Sequence, residues 1–182
     1  MSYGVIPYWI DLNILSGIIG PEDDRKGSFD VMFGLLQPSL SGLDDEFEIE
    51  DGWLPANDIL SLLLKGGTPQ QSENCTKHWY VIERIIQVFG KSLNNRYWYP
   101  SDSVDVFYDY DEFKMYRVDQ KGEIKIGFPD DFPVVFSVVR NDFSKALENI
   151  RNSNISNNQK KQFESWIMHA EDNNTDLILY YY

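Results

Sequence analysis

The segment that most constrains the fold is the run from Asp176 to Tyr182, with the sequence DLILYYY. Its β-branched and aromatic residues are typical of a strand. Six successive apolar or aromatic side chains leave no polar face for water, and an open edge of this composition tends to pair with other chains. We therefore expect this strand to have a neighbour on both sides. The strand-like segment from Tyr3 to Ile10 is one candidate, which would bring the two ends of the sequence together.

The clearest helical pattern runs from about Thr76 to Phe89 and is followed by Gly90, a common residue at helix ends. A second helix is predicted over 158–170, where Ser156 is placed to cap it. Helical and strand-like segments alternate irregularly, which favours α+β over a doubly wound parallel sheet. We predict a single α+β domain over residues 1–182, with a mostly antiparallel sheet packed against several helices.

The charge balance restricts the partners. Among 182 residues there are 16 Lys and Arg and 29 Asp and Glu, which gives a formal net charge of −13. Nucleic acids and anionic membranes attract clustered cations, whereas the longest basic run here is the pair Lys160-Lys161. The sequence therefore argues against nucleic acid and membrane partners. The charge favours a basic protein partner or a metal ion, or it serves solubility.

The sequence also indicates a cytoplasmic protein. With Cys75 as the single cysteine, no intramolecular disulfide can form, which fits a reducing compartment. The first residues lack the positive region of a signal peptide, and Asp11 interrupts their apolar run. The apolar stretches are shorter than the roughly 20 residues that a membrane helix needs.

Acidic residues are concentrated in an aromatic, strand-like segment over 96–118. Alternation along a strand would place Asp109 and Asp111 on one face and the neighbouring tyrosines on the other. This pattern is typical of the solvated face of a half-buried sheet, but it also suits a partner-binding patch, or a carboxylate pair for a cation or for acid–base chemistry. The candidate binding residues of this segment are Asp105, Tyr108, Asp109, Tyr110 and Asp111.

Two further features follow in the sequence. Asp119 to Gly122 has the length and the glycine of a tight turn, which predicts a hairpin between 113–118 and 123–126. Downstream, two Phe-Pro pairs enclose Asp130 and Asp131, and the prolines lower the entropy cost of presenting these acids to a partner. In the alternative interpretation, an aspartate caps the turn and the flanking phenylalanines fill the core.

No catalytic signature accompanies these residues. His169 lies near the predicted end of a helix, where the helix dipole favours a cation. Cys75 and His78 have the spacing of a metal half-site, but the second pair of ligands that zinc requires is missing. The motifs of nucleotide-binding loops, serine hydrolases and zinc proteases do not occur. The sequence thus assigns no catalytic residue, no metal and no cofactor.

Several short segments resemble a family of small bacterial proteins classed as a domain of unknown function. They are the opening from Ser2 to Leu12, the segment HWYVIERIIQVFG from His78 to Gly90, the segment FPDDFP from Phe128 to Pro133, and the final aromatic strand. The resemblance implies a bacterial cytosolic setting and brings no catalytic residue with it.

These observations lead to three hypotheses. The first is a non-enzymatic acidic module that binds a basic protein, as toxin-neutralising immunity proteins do, because charge and aromatic residues suit an interface. The second is a hydrolase or metal-dependent enzyme built on Asp105, Asp109 and Asp111. The third is a structural domain without a ligand of its own.

Overall fold

The computed structural model describes residues 4–19, 29–46, 54–67, 75–99, 104–130 and 132–182. Within these ranges the α-helices are α1 (Leu12–Ile19), α2 (Phe29–Leu36), α3 (Leu43–Glu46), α4 (Ala56–Leu64), α5 (Thr76–Phe89), α6 (Asp105–Tyr108), α7 (Phe143–Asn152) and α8 (Asn157–Asp172). The strands are β1 (Val5–Ile10), β2 (Lys91–Ser92), β3 (Lys114–Met115), β4 (Val134–Val138) and β5 (Asp176–Tyr181). Short 3-10 helices span Gln37–Leu40 and Arg140–Asp142.

The five strands form one antiparallel sheet in the order β2-β1-β5-β4-β3. β5 is therefore central, with Tyr181 opposite Val5 on one side and opposite Val134 on the other. The prediction that this strand is paired on both sides, and that the first strand is its neighbour, is confirmed. Leu177 through Tyr180 are fully buried, because both faces of the sheet are covered.

Alternate residues of the strands enter two separate cores. Tyr8 and Ile178 pack on one face, against the layer that contains α1, α4 and α5. Phe136 and Leu177 pack on the other face, with residues of α7 and α8. The predicted α+β class is confirmed, with an antiparallel sheet between two helical layers.

The predicted central helix is confirmed as α5, and it turns into β2 at Gly90. This glycine has φ −111°, so it does not supply the left-handed conformation that often ends a helix. A Cβ on Gly90 would lie 2.5 Å from the carbonyl oxygen of Trp9. The glycine is needed because the backbone of β1 passes so close to the end of the helix.

The last helix, α8, begins as predicted at Ser156. The hydroxyl of Ser156 accepts a hydrogen bond from the backbone N–H of Gln159, and the Gln159 side chain accepts one from the N–H of Ser156. This reciprocal pair satisfies two donors at the start of the helix. Farther along, the indole N–H of Trp166 donates to the carbonyl oxygen of Asn94 (2.8 Å), which ties α8 to the segment after β2.

The predicted strand over 96–118 is wrong. Asp105–Tyr108 is a short helix, and of the described residues in this range only Lys114–Met115 form a strand. Val106 and Phe107 are consecutive and both buried, an arrangement that a half-exposed strand cannot give. Phe107 packs among aromatic rings from three other parts of the chain, including Trp98 (centroids 4.9 Å apart) and Phe136 (5.5 Å), and this burial outweighs the strand propensity of the segment.

The predicted hairpin around residues 119–122 is also wrong, although the turn exists. The buried carboxylate of Asp119 accepts hydrogen bonds from the backbone N–H groups of Gly122 (2.7 Å), Glu123 (2.7 Å) and Ile124 (3.1 Å). These donors would otherwise be available to a strand partner. Residues 123–126 form no strand, and β3 pairs with β4 instead.

Candidate functional site

A cavity lies beside β3, at the edge of the sheet. It holds about 520 Å³, which is in the range of roughly 300–1,000 Å³ typical of ligand sites. One wall is formed by most residues between 108 and 117, and the other by most residues between 121 and 128. We call this cavity the edge cleft.

Positive charge is concentrated in the edge cleft. Among the described residues, four cations and one carboxylate line it: Lys114, Arg117, Lys121, Lys125 and Asp111. In the described parts of the chain, the three lysines have no carboxylate within ion-pair distance. The local charge of the cleft is therefore opposite in sign to the net charge of −13.

The fourth cation, Arg117, is held in place by the Asp119 turn. Its Nε donates a hydrogen bond to the carbonyl oxygen of Asp119 (2.7 Å). The same turn fixes the start of the loop that carries Lys121 and Lys125. One buried carboxylate thus fixes the backbone of the turn, and the same residue's carbonyl oxygen holds Arg117.

The loop wall is anchored to the core by aromatic residues. The indole N–H of Trp79 donates to the carbonyl oxygen of Gly127 (2.9 Å), and the Tyr116 ring lies between Trp79 and Phe128, 5.2 and 5.1 Å from their rings. Tyr116 has φ +50°, a left-handed backbone that non-glycine residues rarely adopt. Burial, followed by the charge of Tyr108, raises the pKa of the Tyr116 phenol to about 12.

The residues predicted from the sequence divide into two groups. Tyr108, Tyr110 and Asp111 line the edge cleft, whereas Asp105 and Asp109 do not. The N–H of Asp109 donates to the carbonyl oxygen of Asp105 (3.2 Å), so these two exposed acids lie one helical turn apart, at the first residue of α6 and just after its last. The expectation that Asp109 and Asp111 share one face of a strand is wrong. A turn follows α6, and the strand that would align these two side chains does not form.

Asp111 shares its surroundings with a cation outside the cleft. The pKa of Lys145 is raised first by its hydrogen bond and ion pair with Glu112, and further by the charge of Asp111. Glu112 is buried and also accepts a hydrogen bond from the Asn149 amide (2.8 Å). The carboxylate of Asp111 is thus partly balanced by Lys145.

In the Phe-Pro-Asp-Asp-Phe-Pro segment, the interpretation that the two phenylalanines fill the core is wrong. Phe128 is 67% exposed and Phe132 is 39% exposed, so neither ring fills the core. Phe128 instead packs on Tyr116 at the rim of the cleft. Asp130 is exposed, and Asp131 lies outside the described residues.

A buried carboxylate on α5 was not foreseen from the sequence. Glu83 accepts hydrogen bonds from the phenols of Tyr8 (2.8 Å) and Tyr182 (2.5 Å). Burial raises the pKa of Glu83, although both phenols act in the opposite direction. Charged residues inside a helical pattern usually face solvent, so the position of Glu83 in the sequence did not indicate that it is buried.

Asp176, at the start of β5, is fully buried and satisfied by the backbone. Its two oxygens accept the N–H groups of Leu12 (3.0 Å) and Arg140 (2.9 Å). The carboxylate joins the beginning of α1 to the segment that follows β4. This is a structural role.

The cleft cations were also missed, although a signal existed. Lys114, Arg117, Lys121 and Lys125 recur at intervals of three or four residues, while acids dominate the chain as a whole. An average over the whole sequence hides such a local group.

The two histidines and the cysteine differ in their surroundings. His78 is 4% exposed, and within the described residues neither ring nitrogen has a hydrogen-bond partner. Burial, followed by the charge of Lys77, lowers the pKa of His78 to about 4. Cys75 is buried, as expected, and His169 is exposed on α8. Among the described residues no three of His, Cys, Asp and Glu are grouped to hold a metal ion.

None of the described helices combines the length and the apolar character that crossing a membrane requires. Comparison with curated proteins finds no match, and comparison with solved structures finds none either. A family model does match, over residues 1–182, which includes the segments on which the sequence resemblance rests. The chain belongs to the family described as domain of unknown function DUF7691.

Proposed function

We propose that this protein is a non-enzymatic binding module and that the edge cleft takes an anionic ligand. The observation that carries this proposal is the gathering of three lysines and Arg117 in one cleft of a chain with a net charge of −13. The Arg117 charge is partly met by Asp119, whose carboxylate lies 4.0 Å from Nε, so the three lysines carry the attraction. Lys114, Lys121 and Lys125 have no carboxylate partner in the described part of the molecule.

The overall negative charge does not prevent such binding. At physiological salt the Debye length is about 8 Å, so most of the chain's acids act on a ligand in the cleft only weakly. The cleft cations act at contact distance and prevail there. The net charge instead slows the approach of anions at low salt, where screening is weaker.

Apolar contact and prior ordering add to the attraction. The exposed rings of Tyr108 and Phe128 offer apolar surface at the rim of the cleft. Arg117 is already oriented by Asp119, so binding costs less side-chain entropy than it would for a free arginine. An anion with an apolar or planar part suits this combination.

The proposal can be tested by titrating the protein with citrate, pyrophosphate and oligoglutamate while recording backbone amide NMR shifts. We expect shifts at residues 114–117 and 121–125. Reversing two exposed lysines, Lys121→Glu with Lys125→Glu, should weaken binding about tenfold or more, because two attractions become repulsions.

The matched control reverses two exposed lysines outside the cleft, Lys91→Glu with Lys161→Glu. It changes the net charge by the same amount, so its binding should stay close to that of the wild type. If both double variants lose affinity equally, or if no anion shifts the cleft amides, the cleft is not an anion site.

A basic protein partner is the second candidate function. It is favoured by the exposed carboxylates of Asp105 and Asp109, one turn apart at the ends of α6, in a strongly acidic chain. Binding of a labelled oligolysine peptide should weaken in Asp105→Asn with Asp109→Asn and persist in the lysine reversals. If all variants bind the oligolysine peptide equally, the peptide is attracted only by the net charge of the protein, and this candidate function is wrong.

A further inference from the structure

Within the described residues, the outer side of β3 carries a pair of backbone groups that take no part in the sheet. In the antiparallel pairing with β4, the N–H of Tyr116 donates to Val135 (2.9 Å), and Lys114 stands opposite Ser137. Residues at alternate positions of such a strand direct their backbone groups to opposite sides. Because the backbone groups of Lys114 and Tyr116 point toward β4, the backbone N–H and C=O of Met115 point away from the sheet.

The residue that carries these groups also lines the edge cleft. β3 is the last strand of the sheet, and Met115 is among the residues that line the cleft. In the described residues no backbone partner completes a ladder on this side of β3. An incoming strand can therefore exchange two hydrogen bonds with Met115, which is how extended peptides add to sheet edges.

The arrangement of charge goes beyond ordinary protection of an edge. Lysines on an edge strand often serve only to prevent pairing with other chains, and Lys114 alone fits that role. Lys121 and Lys125, however, lie on the facing loop rather than on the strand. A segment between the walls would thus meet cations from both.

We infer that the ligand of the edge cleft is an extended acidic peptide segment, which pairs with the backbone of Met115 and places carboxylates beside Lys114, Lys121 and Lys125. This inference rests on the proposed function and names its ligand. Alternation along a strand directs every second side chain to the same side. The preferred segment therefore alternates acidic residues with apolar ones, which contact the exposed rings of Tyr108 and Phe128.

The test uses the full-length protein and fluorescein-labelled peptides of alternating glutamate and valine, measured by fluorescence anisotropy. Two N-methylated isomers keep the charge and the side chains but block the backbone N–H groups either of all glutamates or of all valines. Only the isomer whose methyl groups face β3 should lose affinity, by roughly tenfold, because it cannot complete the pairing.

Amide NMR gives a second readout that does not depend on variants that may fail to fold. The Met115 amide should shift on addition of the unmodified peptide and much less with the blocked isomer. Met115→Pro, which removes the same N–H from an edge position, should weaken binding of the unmodified peptide.

The outcomes separate the two proposals. If both N-methylated isomers bind as tightly as the parent peptide, or if only citrate and pyrophosphate bind and require Lys121 and Lys125, the strand-addition inference is wrong and the anion site stands. If no anion binds in a lysine-dependent way, both proposals are wrong.

Discussion

Replacing His78 with phenylalanine is expected to flatten the dependence of folding stability on pH between about pH 4 and 6.5. His78 lies on α5 and is 4% exposed, with neither ring nitrogen paired within the described chain. Burial and the adjacent Lys77 lower its pKa from 6.5 to about 4. The folded protein therefore keeps this imidazole neutral in a range where the unfolded chain protonates it.

The sign and the size of the effect follow from proton linkage. Because the unfolded state binds the extra proton, the free energy of unfolding falls as pH decreases from 6.5 toward 4. Each pKa unit corresponds to about 1.4 kcal/mol, so the lowered pKa accounts for about 3 kcal/mol across the range. The contribution of His78 is complete above pH 6.5 and lost at pH 4.

The assay is urea unfolding followed by tryptophan fluorescence at constant ionic strength, from pH 4.5 to 7.5. Wild type should lose stability relative to His78→Phe as the pH decreases, while His169→Gln, which alters the exposed histidine on α8, should follow the wild type. All other titrating groups are common to the three proteins. Parallel curves for wild type and His78→Phe would refute the reasoning.

Three further predictions concern single residues. Burial raises the pKa of Glu83, so the folded protein holds a proton there at pH values at which the unfolded chain has released it. The resulting contribution to the free energy of unfolding is complete below the ordinary carboxyl pKa and is lost as the pH rises through the raised value. Glu83→Gln should remove this pH dependence in the same urea series. Asp119→Ala leaves three backbone N–H groups of the cleft turn without their acceptor and should lower the free energy of unfolding by about 2–4 kcal/mol in thermal or urea unfolding. Gly90→Ala places a Cβ 2.5 Å from the Trp9 carbonyl oxygen and should lower Tm, whereas Gly17→Ala on α1, where a Cβ meets nothing within 4 Å, should leave Tm unchanged or raise it. Equal Tm changes in the two glycine variants would contradict the steric argument.

The parts of the fold that the sequence predicted are those with strong local patterns. α5 has a continuous apolar stripe, and α8 begins with a residue suited to capping. The pairing of β5 on both sides followed from its continuous apolar composition. In each case the residues of the element itself, or those directly beside it in the sequence, were enough to predict the structure.

The segment around α6 and the cleft depends on distant contacts instead. Phe107 is buried by rings that lie far away in sequence, and this burial selects a helical turn over a strand. Asp119 resembles an ordinary turn residue, yet its carboxylate organises the backbone that positions Arg117 and the loop lysines. Tyr108, Tyr110 and Asp111 were identified as candidates for a strand face that does not exist, and they line the cleft for another reason.

The position of β5 has a consequence for synthesis of the protein. The middle strand of the sheet is translated last among the described elements, and β1 must wait for it, since residue 5 pairs with residue 181. At roughly 5–20 residues per second, that delay is on the order of ten seconds or more. During this time β1 lacks the neighbour that later separates it from β4, and its open side is exposed to other nascent chains; β4 waits only for about the last forty residues. We expect ribosome-bound intermediates that end before residue 176 to depend on chaperones more than the finished protein does.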